Sequence, residues 1–504
     1  MKKYTFTILF LFACVLATAQ NINDVLRLST ENIQGTARYQ GLSGAFGALG
    51  GDLSALNINP AGSAVFLNNQ FTLTAANYNS ANESSYFGQT NNSSLNTFRF
   101  NQGGGAFVFE NSSGNNDWKR FTMAFNYDMV QNFNDALYIS GPSDQGIDNY
   151  FLNYAEGVPF GNILLQDGEY IEDAYLDIGS SFGYSAQQAF LGYYGGIIDP
   201  LNASDDNGTD YISNASYIQV NQDYTQSTSG QNSKMTANFA SQYKNFLYLG
   251  ASMNFNSVVY NKITTLRESG FAPNSEISFT SFDNFLHTEG YGFSFSLGAI
   301  AKVNEFFRVG ASYESPTWYD LKDETSQKIN SDLADSDIGY INFDIVNVYN
   351  SYTIKTPGKV TGSMAVVFGK NGLLSLDYAF QDMSNAELRP NNDPSFASEN
   401  EYISNQLGGV SSIRVGGEYR LGRVFSLRGG YRYEQSPFKN GITVGSLNGY
   451  STGVGFNFGP SRLDVAFNQS FRDMDKYLYD TGFPTPAHIN KKNTNVTFGY
   501  TINF

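Results

Sequence analysis

The sequence predicts an all-β protein, a 14-stranded antiparallel transmembrane β-barrel with long extracellular loops. Three observations support this prediction. From about residue 70 onward, apolar and polar residues alternate in segments of about ten residues, as in strands that face lipid on one side and a lumen on the other. The links between these segments fall into a short class and a long class. An export signal precedes them, and no later stretch is apolar for long enough to form a membrane-spanning helix.

The composition agrees with a β-fold. The 504 residues include 50 Gly, 42 Phe and 34 Tyr, and glycine together with large aromatic residues favours strands in which rings pack against a close backbone. Mean hydropathy is −0.31, which excludes a polytopic helical membrane protein. The net charge of −16 leads us to expect no nucleic-acid partner.

The N-terminus has the features of a secretory signal peptide. A basic pair (Lys2 and Lys3), an apolar stretch and an Ala-Thr-Ala cleavage site follow one another in residues 1–19, so we expect the mature chain to begin at Gln20. The alternative is a lipoprotein signal, in which Cys14 would be acylated. Cleavage at the predicted site removes this single cysteine, and the exported protein then has no disulfide or thiolate chemistry.

Fourteen segments carry the alternating pattern, an even number as in single-chain bacterial barrels. The last segment is the clearest, because Val, Phe, Tyr, Ile and Phe share one face while Asn, Thr, Gly, Thr and Asn share the other. In chain order, the predicted strands are 70–78, 96–109, 118–130, 233–243, 246–260, 289–303, 306–316, 351–369, 372–382, 411–421, 424–435, 448–458, 461–471 and 494–504.

The links between these strands differ in length according to the side of the barrel. The short links, expected at the periplasmic end, are 111–117, 244–245, 304–305, 370–371, 422–424 and 459–460. The long links, expected outside the cell, are 131–232, 261–288, 317–350, 383–410, 436–447 and 472–492. This asymmetry is typical of an outer-membrane barrel, whereas a soluble β-sandwich would place its apolar face inside.

The longest link, residues 131–232, is too long for a plain loop, so we expect part of it to be ordered. It contains a group of large side chains: Phe182, Tyr184, Phe190, Leu191, Tyr193 and Tyr194. Two interpretations remain open. The rings capture an apolar ligand at the cell surface, or they pack on the barrel mouth and order the loop. The candidate ligand-binding residues of the first interpretation are Phe182, Tyr184, Phe190 and Tyr193.

Two stretches of the chain resemble a known family. Residues 35–62 combine a run of small residues with Asp52 and the sequence Asn-Pro-Ala-Gly just before the first strand. Residues 412–420 read Ser-Ile-Arg-Val-Gly-Gly-Glu-Tyr-Arg, and residues 426–437 read Ser-Leu-Arg-Gly-Gly-Tyr-Arg-Tyr-Glu-Gln-Ser-Pro. With fourteen strands, these stretches resemble the FadL/TodX family of outer-membrane transporters for long-chain fatty acids and other hydrophobic compounds.

The resemblance implies that residues 20–69 form an N-terminal hatch inside the lumen and that residues 70–504 form the barrel. Small residues suit a chain that threads a lumen, because they need little cross-section, and a proline can end helical structure. The residues that carry the hatch motif are Asn59, Pro60, Ala61 and Gly62.

The late hairpin places charged residues on its polar face. Counted from the turn, Glu418 lies opposite Arg428, and Arg414 lies opposite Arg432. An arginine facing lipid near the membrane midplane would cost about 2–4 kcal/mol, so these charges are expected to face the lumen. Either they pair with one another in a water-filled interior, or Arg414 and Arg432 meet a ligand carboxylate.

The family's lateral opening arises from a kink in its third strand, and here Asp128 lies near the position where family members can carry glycine. In the preceding strand, Phe98 and Phe100 have one parity and Phe107 and Phe109 have the other, with three glycines between them. A parity change across glycines predicts a β-bulge. The bulge either shapes a lateral opening or only bends the barrel wall.

The sequence predicts no catalytic or metal site. Nucleophilic catalysis of the Ser–His type, zinc binding and haem ligation need a placed histidine, and His287 and His488 both lie in predicted outer loops. Residues 205–210 resemble a calcium loop but lack its closing glutamate. We therefore expect no enzyme activity, no cofactor and no metal.

The resemblance implies a passive outer-membrane channel of a Gram-negative bacterium that takes up hydrophobic molecules, with long-chain fatty acids as the expected ligands. We expect a monomer surrounded by outer-membrane lipid and lipopolysaccharide. The alternative is an interaction protein, because some barrels of the same superfamily are shuttles of a type IX secretion system. The hatch disfavours a third interpretation, a nonspecific polar porin.

Overall fold

One antiparallel sheet closes on itself to form the barrel. The first strand pairs with the second along one edge and with the last strand along the other. The computed structural model describes residues 20–30, 32–111, 117–338 and 346–504. The predicted signal peptide and the Cys14 alternative therefore lie outside the described residues.

The strands of the barrel sheet are numbered along the chain. They are β1 (Gln70–Tyr86), β2 (Gln89–Glu110), β3 (Trp118–Asn132), β4 (Asp135–Ser143), β7 (Val220–Tyr243), β8 (Leu247–Ser269), β9 (Phe279–Lys302), β10 (Phe307–Glu314), β11 (Trp318–Ser331), β12 (Asn347–Val348), β13 (Tyr352–Lys355), β14 (Lys359–Val367), β15 (Gly372–Asp382), β16 (Glu387–Arg389), β17 (Gly409–Leu421), β18 (Phe425–Glu434), β19 (Leu447–Asn457), β20 (Ser461–Lys476) and β21 (Ala487–Asn503). A separate small sheet pairs β5 (Ile198–Pro200) with β6 (Tyr211–Ser213).

Some strands follow one another at the same position in the wall. β3 and β4 share one position, because both pair with β7, and β10 and β11 share another, because both pair with β9. At the next position, β13 pairs with β11 and β14 pairs with β10. At the position after that, β16 pairs with β13 and β15 pairs with β14. Across the described ranges the wall therefore has fourteen strand positions, and the predicted fourteen-stranded antiparallel barrel is confirmed.

The faces of the wall are arranged as a membrane barrel requires. On β21, Phe498, Tyr500 and Ile502 are exposed on the outside, whereas Thr497 and Thr501 are buried on the inside. The same inversion holds on β17, where Val415 and Tyr419 are exposed while Arg414 and Glu418 are buried on the inner face. Among the described helices, none is both long and apolar enough to cross a membrane.

Several strands are longer than the sequence predicts. The first hairpin runs without interruption through residues 79–95 to a tight turn at Phe87 and Gly88, both with positive φ. The predicted outer loops 261–288 and 472–492 are largely strand, so His287 and His488 lie on β9 and β21 and not in loops. The prediction missed these extensions because they project beyond the lipid, where polar residues on both faces remove the alternation.

Proline interrupts two wall positions. The predicted strand 351–369 is divided into β13 and β14 around Pro357, and Pro316 separates β10 from β11. Proline has no backbone N–H to donate to a ladder, which explains both breaks.

The link 131–232 is ordered through most of its length. Its first part is β4, and β7 begins at Val220, so that only residues 144–217 stand above the wall. We call residues 144–217 the outer cap. Its helices are α3 (Ile147–Ala155), α4 (Ile171–Phe182) and α5 (Tyr184–Tyr194), with a 3₁₀ turn at Phe160–Ile163. One apolar core joins them to the upper ends of the wall strands.

Residues 20–69, which we call the N-terminal segment, contain α1 (Ile22–Ser29), α2 (Ala37–Gly41) and two 3₁₀ helices, Ser54–Asn57 and Pro60–Val65. A last helix, α6 (Pro394–Gln406), follows a 3₁₀ turn at Met383–Asn385 and lies over the barrel mouth beside α1.

Candidate functional site

The N-terminal segment lies within the barrel and contacts its wall from top to bottom. At the upper end, α1 begins with a capping box between Asn21 and Asp24, and its Val25 and Leu26 pack in an apolar core with wall residues of β11 and β13. The Arg27 guanidinium stacks on the ring of Tyr260, 3.9 Å from its centre. Further along the chain, α2 contacts β19 and β20.

The Asn-Pro-Ala-Gly sequence fixes the lower end of the segment. The Asn59 side chain accepts a hydrogen bond from the Ala61 N–H (3.0 Å) and donates to the carbonyls of Gly47 (2.7 Å) and Ala299 (3.0 Å). Pro60 begins the 3₁₀ helix Pro60–Val65, in which Ala61 and Gly62 are buried. The structure thus places all four predicted residues of the motif inside the barrel.

Wall glycines allow this close approach. A Cβ atom on Gly298 would lie 2.0 Å from Asn59 Oδ1, and one on Gly250 would lie 2.4 Å from the Pro60 carbonyl oxygen. Both distances are too short for any side chain, so only glycine fits where the segment touches β8 and β9.

A network of buried charges joins the segment to the late hairpin. Glu418 accepts hydrogen bonds from Arg38 Nε of α2 (2.9 Å) and from Arg428 Nε of β18 (2.8 Å). Arg428 also donates to Asp464 on β20 (2.7 Å). Breaking such a network by removing one partner typically costs about 3–5 kcal/mol, because a charge is left uncompensated.

The two arginines proposed as carboxylate ligands also face inward. Arg414 lies opposite Arg432 and Glu418 lies opposite Arg428, as the sequence predicts. Arg414 and Arg432 are both buried in the wall and already have partners there. Neither lines the cavity described next.

A cavity of about 100 Å³ lies between the N-terminal segment and the wall. The segment contributes residues on both sides of α2, and the wall contributes strands β3, β7, β8, β10 and β14. Its lining includes Leu28, Gln34, Asn57, Gln131, Asn232, Lys234, Asn256, Glu314, Tyr319 and Lys359. The lining is rich in amide side chains and contains two lysines, so the cavity suits a polar or charged group.

The two lysines differ in their partners. Lys359 forms an ion pair with Glu314 at 3.0 Å. Lys234, only 8% exposed, lies opposite Asp128 of β3, and the opposite charges of the two side chains attract one another. The Asp128 carboxylate also accepts hydrogen bonds from Ser54 (3.1 Å), Asn57 (2.9 Å) and Asn126 (2.6 Å).

The barrel wall has an incomplete ladder between β2 and β3. β3 pairs with Gln102–Glu110 of β2 only, and no backbone ladder joins residues 89–101 to β3 or β4 in the described chain. The register slips at Asn101, which confirms the predicted bulge and leaves Phe98 and Phe100 exposed on the outer face together with Phe107 and Phe109. We call the gap beside residues 97–101 the β2–β3 seam.

The seam is closed from the inside by side chains and by the N-terminal segment. β4 keeps its ladder with β7 but lies on the inner face of the first hairpin, where its Ala136 and Tyr138 carbonyls accept hydrogen bonds from Asn82 (2.8 Å) and Ser84 (2.6 Å). Asn132 donates to Thr97 across the seam at 3.4 Å. Below them, the Asn101 side chain donates to the Gly35 carbonyl of the segment (3.3 Å).

The aromatic residues of the outer cap are mostly packed in its core. Phe190 is fully buried and packs on the tilted ring of Tyr194 at a centroid distance of 4.7 Å, and Tyr193 packs on Phe160 at 5.1 Å. The Tyr184 hydroxyl contacts that of Tyr150 at 3.1 Å. Phe182 is 53% exposed, whereas Tyr184 and Tyr193 are half-buried. The burial of Phe190 favours the interpretation in which these rings pack and order the loop.

Two residues of the interior were not singled out from the sequence as site residues: Lys234 and Arg38. A signal for Lys234 exists, because it shares the polar, inward face of β7 with Asn232 and Asn238. The partner of Arg38 is 380 residues away in the chain, and no local pattern indicates it.

The histidines take part in simple side-chain contacts. His287 Nδ1 contacts Asn261 Oδ1 at 2.7 Å, and His488 Nδ1 contacts Asp475 Oδ1 at 2.9 Å. Within the described ranges, no group of His, Cys, Asp and Glu is arranged to hold a metal ion.

Comparisons with known proteins agree with this architecture. The family model described as outer membrane protein transport protein (OMPP1/FadL/TodX) matches residues 174–477. A Pseudomonas aeruginosa FadL homologue superposes with a TM-score of 0.56 at 12% identity, over 94% of this chain and 100% of its own. The Pseudomonas putida toluene transporter TodX gives 0.52 at 13% identity, over 94% and 99%. A search by sequence found no match among curated proteins.

Proposed function

Since the chain belongs to the OMPP1/FadL/TodX family, and is therefore an outer-membrane β-barrel transporter for hydrophobic compounds, we propose that its ligands are long-chain fatty acids and that transport is passive. The family assignment rests on more than half of the chain. We further propose that the protein is a monomer in outer-membrane lipid and lipopolysaccharide.

The β2–β3 seam is the observation that carries this proposal. Unpaired backbone groups facing hydrocarbon are costly, so an interrupted ladder is tolerated only beside a cavity or buried protein. The seam lies between the lumen and the outer face next to Phe98 and Phe100. Once its inner side is opened, an apolar molecule could pass there directly into lipid. A polar solute would gain nothing from such an exit.

The N-terminal segment blocks the path of a ligand through the barrel, so its contacts indicate where that path could open. The outer cap covers the mouth, the cavity lies below α1, and Gln34 and Gly35 of the N-terminal segment close the inner side of the seam through Tyr78 (2.6 Å) and Asn101 (3.3 Å). Movement of this short stretch would join the cavity to the seam. Such a movement breaks these two hydrogen bonds, each worth about 1 kcal/mol.

Uptake of a labelled fatty acid tests the proposal. Cells that produce the protein should take up radiolabelled hexadecanoate several-fold faster than cells that lack it, with no gain for a polar solute such as a disaccharide. Equal hexadecanoate uptake by the two strains would contradict the proposal, and a gain for both solutes would indicate a nonspecific pore.

One observation favours a second candidate, the interaction barrel of a type IX secretion system. The link 131–232 carries fourteen acidic residues and no basic one, a surface suited to a basic partner. Loss of the protein would then impair secretion of such a partner and leave hexadecanoate uptake unchanged.

A further inference from the structure

We propose that Arg99 binds the phosphate group of a phosphate-bearing lipid of the outer leaflet, on the membrane side of the β2–β3 seam. The acyl chains of this lipid would lie over Phe98 and Phe100 and cover the seam from outside the barrel. The site is separate from the cavity inside the barrel, so the inference does not depend on which compound the protein transports.

The first argument is that Arg99 is an exposed cation without a partner. It has no ion pair or hydrogen bond among the residues that the structure describes. It is also the one basic residue in the sequence between Arg38 and Lys119. A charged side chain in a membrane-spanning strand is unfavourable unless an anion or water neutralises it, so its presence at the seam indicates a function.

The second argument concerns the side from which Arg99 can be reached. Its inner neighbours are closed, because its register partner Ala76 and the nearby Asn101 are completely buried and Met129 packs on Ala76. Arg99 does not line the cavity between the N-terminal segment and the wall. Since β3 forms no ladder with β2 beside Arg99, the guanidinium is reached at the open edge of the strand, from the membrane side.

The third argument is the height of Arg99 on the wall. The outward row of β2 is apolar in its lower part and polar above, with Phe109, Phe107, Phe100 and Phe98 followed by Asn96, Ser94 and Asn92. Arg99 therefore lies at the outer edge of the apolar band, where the hydrocarbon ends and the lipid head groups begin. The exposed surface just above it is made of amides, since Asn79 of β1 donates to Asn96 at 2.9 Å.

A phosphate-bearing lipid matches these features together. Its phosphate lies at the level of Arg99, and a planar guanidinium can donate two parallel hydrogen bonds to a phosphate. Below Arg99, the rings of Phe100 and Tyr127 stack across the seam at a centroid distance of 5.9 Å. They form an apolar surface on which acyl chains can lie, and a soluble acidic partner would leave this surface unused.

Binding to the purified full-length barrel tests the inference. Native mass spectrometry in a neutral detergent compares lipid A, which carries phosphate groups, with the same lipid after enzymatic removal of its phosphates. Wild type should bind the phosphorylated lipid roughly ten- to a hundredfold more tightly, the range expected for a hydrogen bond to a charged group. Arg99→Met should remove this preference by weakening binding of the phosphorylated lipid alone. Arg99→Lys keeps the charge without the planar fork and should restore part of the preference.

Lys322→Met is the matched control. Lys322 is also a partly exposed cation, but it pairs with Glu324 on β11 at 3.0 Å, so its loss should leave the preference intact. Heat-modifiable mobility on gels confirms that each variant is folded. An equal preference in wild type and Arg99→Met would overturn the site, and so would equal binding of the two lipids by wild type.

Competition by hexadecanoate distinguishes a membrane lipid from a transported acid as the occupant of the site. Displacement of phosphorylated lipid A only at hexadecanoate concentrations far above that of the lipid supports the membrane lipid. Displacement at equal concentration overturns the assignment to a phosphate-bearing lipid. Neither result changes the proposed function, because the uptake of hexadecanoate by cells tests that function separately.

Discussion

Wall glycines determine how closely the N-terminal segment approaches the barrel. Gly250 and Gly298 face the Asn-Pro-Ala-Gly sequence, and neither position has space for a methyl group. The family motif on the segment and these glycines on the wall therefore contact one another directly.

We predict that Gly298→Ala displaces the segment without unfolding the barrel. The new methyl group would overlap Asn59 Oδ1, and overpacking of this kind costs about 1–3 kcal/mol. The ladders of β9 with β8 and β10 do not depend on Asn59, so heat-modifiable mobility should persist. Single-channel conductance should rise.

Gly362→Ala is the control, because a Cβ atom there meets nothing within 4 Å. If the single-channel conductance of Gly298→Ala equals that of wild type, the position of the N-terminal segment does not depend on this contact.

A buried carboxyl at the outer end of β8, above the apolar band of the wall, supports the cap. Glu268 accepts hydrogen bonds from the Ile147 N–H at the start of α3 (2.9 Å), from Gln222 (2.8 Å) and from Thr280 (3.2 Å). Burial raises the pKa of Glu268 to about 7. Between the ordinary pKa of a glutamate and this value, the folded cap binds the proton more tightly than the unfolded chain does.

We therefore predict that the cap loses stability as pH rises from about 5 to 8, by at most about 3 kcal/mol from this group. Hydrogen exchange of the α3 amides, corrected for the intrinsic effect of pH, should show more protection at the lower pH. Glu268→Gln should remove most of this difference, and Asp167→Asn, at an exposed position, should not. The same pH response in Glu268→Gln would refute the assignment.

The residue contacts that sequence could predict are those fixed by a short turn. The pairs Glu418–Arg428 and Arg414–Arg432 follow from counting along one hairpin, and both are present. The contacts of Glu418 with Arg38 and of Asp128 with Ser54 join distant parts of the chain, and no periodicity encodes them.

Among the elements, the strands were predictable where contact with lipid on one face requires apolar and polar residues to alternate. β17 to β19 begin and end close to their predicted bounds, because apolar residues there must face outward. The upper halves of β1, β2, β8 and β9 were missed, since water on both sides of a strand leaves no pattern. The helices of the outer cap were also missed as elements, although their aromatic residues indicated order.

We predict that the outer cap depends on Phe190. Truncating a buried Phe typically costs about 3–5 kcal/mol, so Phe190→Ser combined with Tyr193→Ser should make the cap sensitive to protease added to intact cells. The barrel should remain heat-modifiable, because its ladders do not include the cap.

Phe182→Ser is the control and should leave the cap protected, because that ring is already half exposed. Reduced hexadecanoate uptake in the double variant with a protease-resistant cap would instead support direct ligand capture by these residues.

The outer link, the wall and the interior of the molecule differ in the side chains that they present. Most of the net charge lies in the outer link, the wall presents apolar side chains to lipid, and the interior holds buried ion pairs that fix the N-terminal segment. At the β2–β3 seam, beside a bulge, part of β2 has no backbone hydrogen bonds to the next strand of the wall. Passage of an apolar molecule from lumen to lipid is the function that this arrangement supports.

Cross-linking the seam tests this account most directly. Thr97 and Asn132 contact one another across it, and Cys14 is the only native cysteine, so Thr97→Cys with Asn132→Cys gives a defined pair for a short thiol cross-linker. Ser85→Cys with Thr90→Cys is the matched control, because these residues contact at the same 3.4 Å within the intact ladder above the seam.

Complete cross-linking of the seam pair should lower hexadecanoate uptake at least tenfold. If the linker is reducible, reduction should restore uptake. Cross-linking of the control pair should leave hexadecanoate uptake at the wild-type rate. Uptake at the wild-type rate through a fully cross-linked seam would contradict the account.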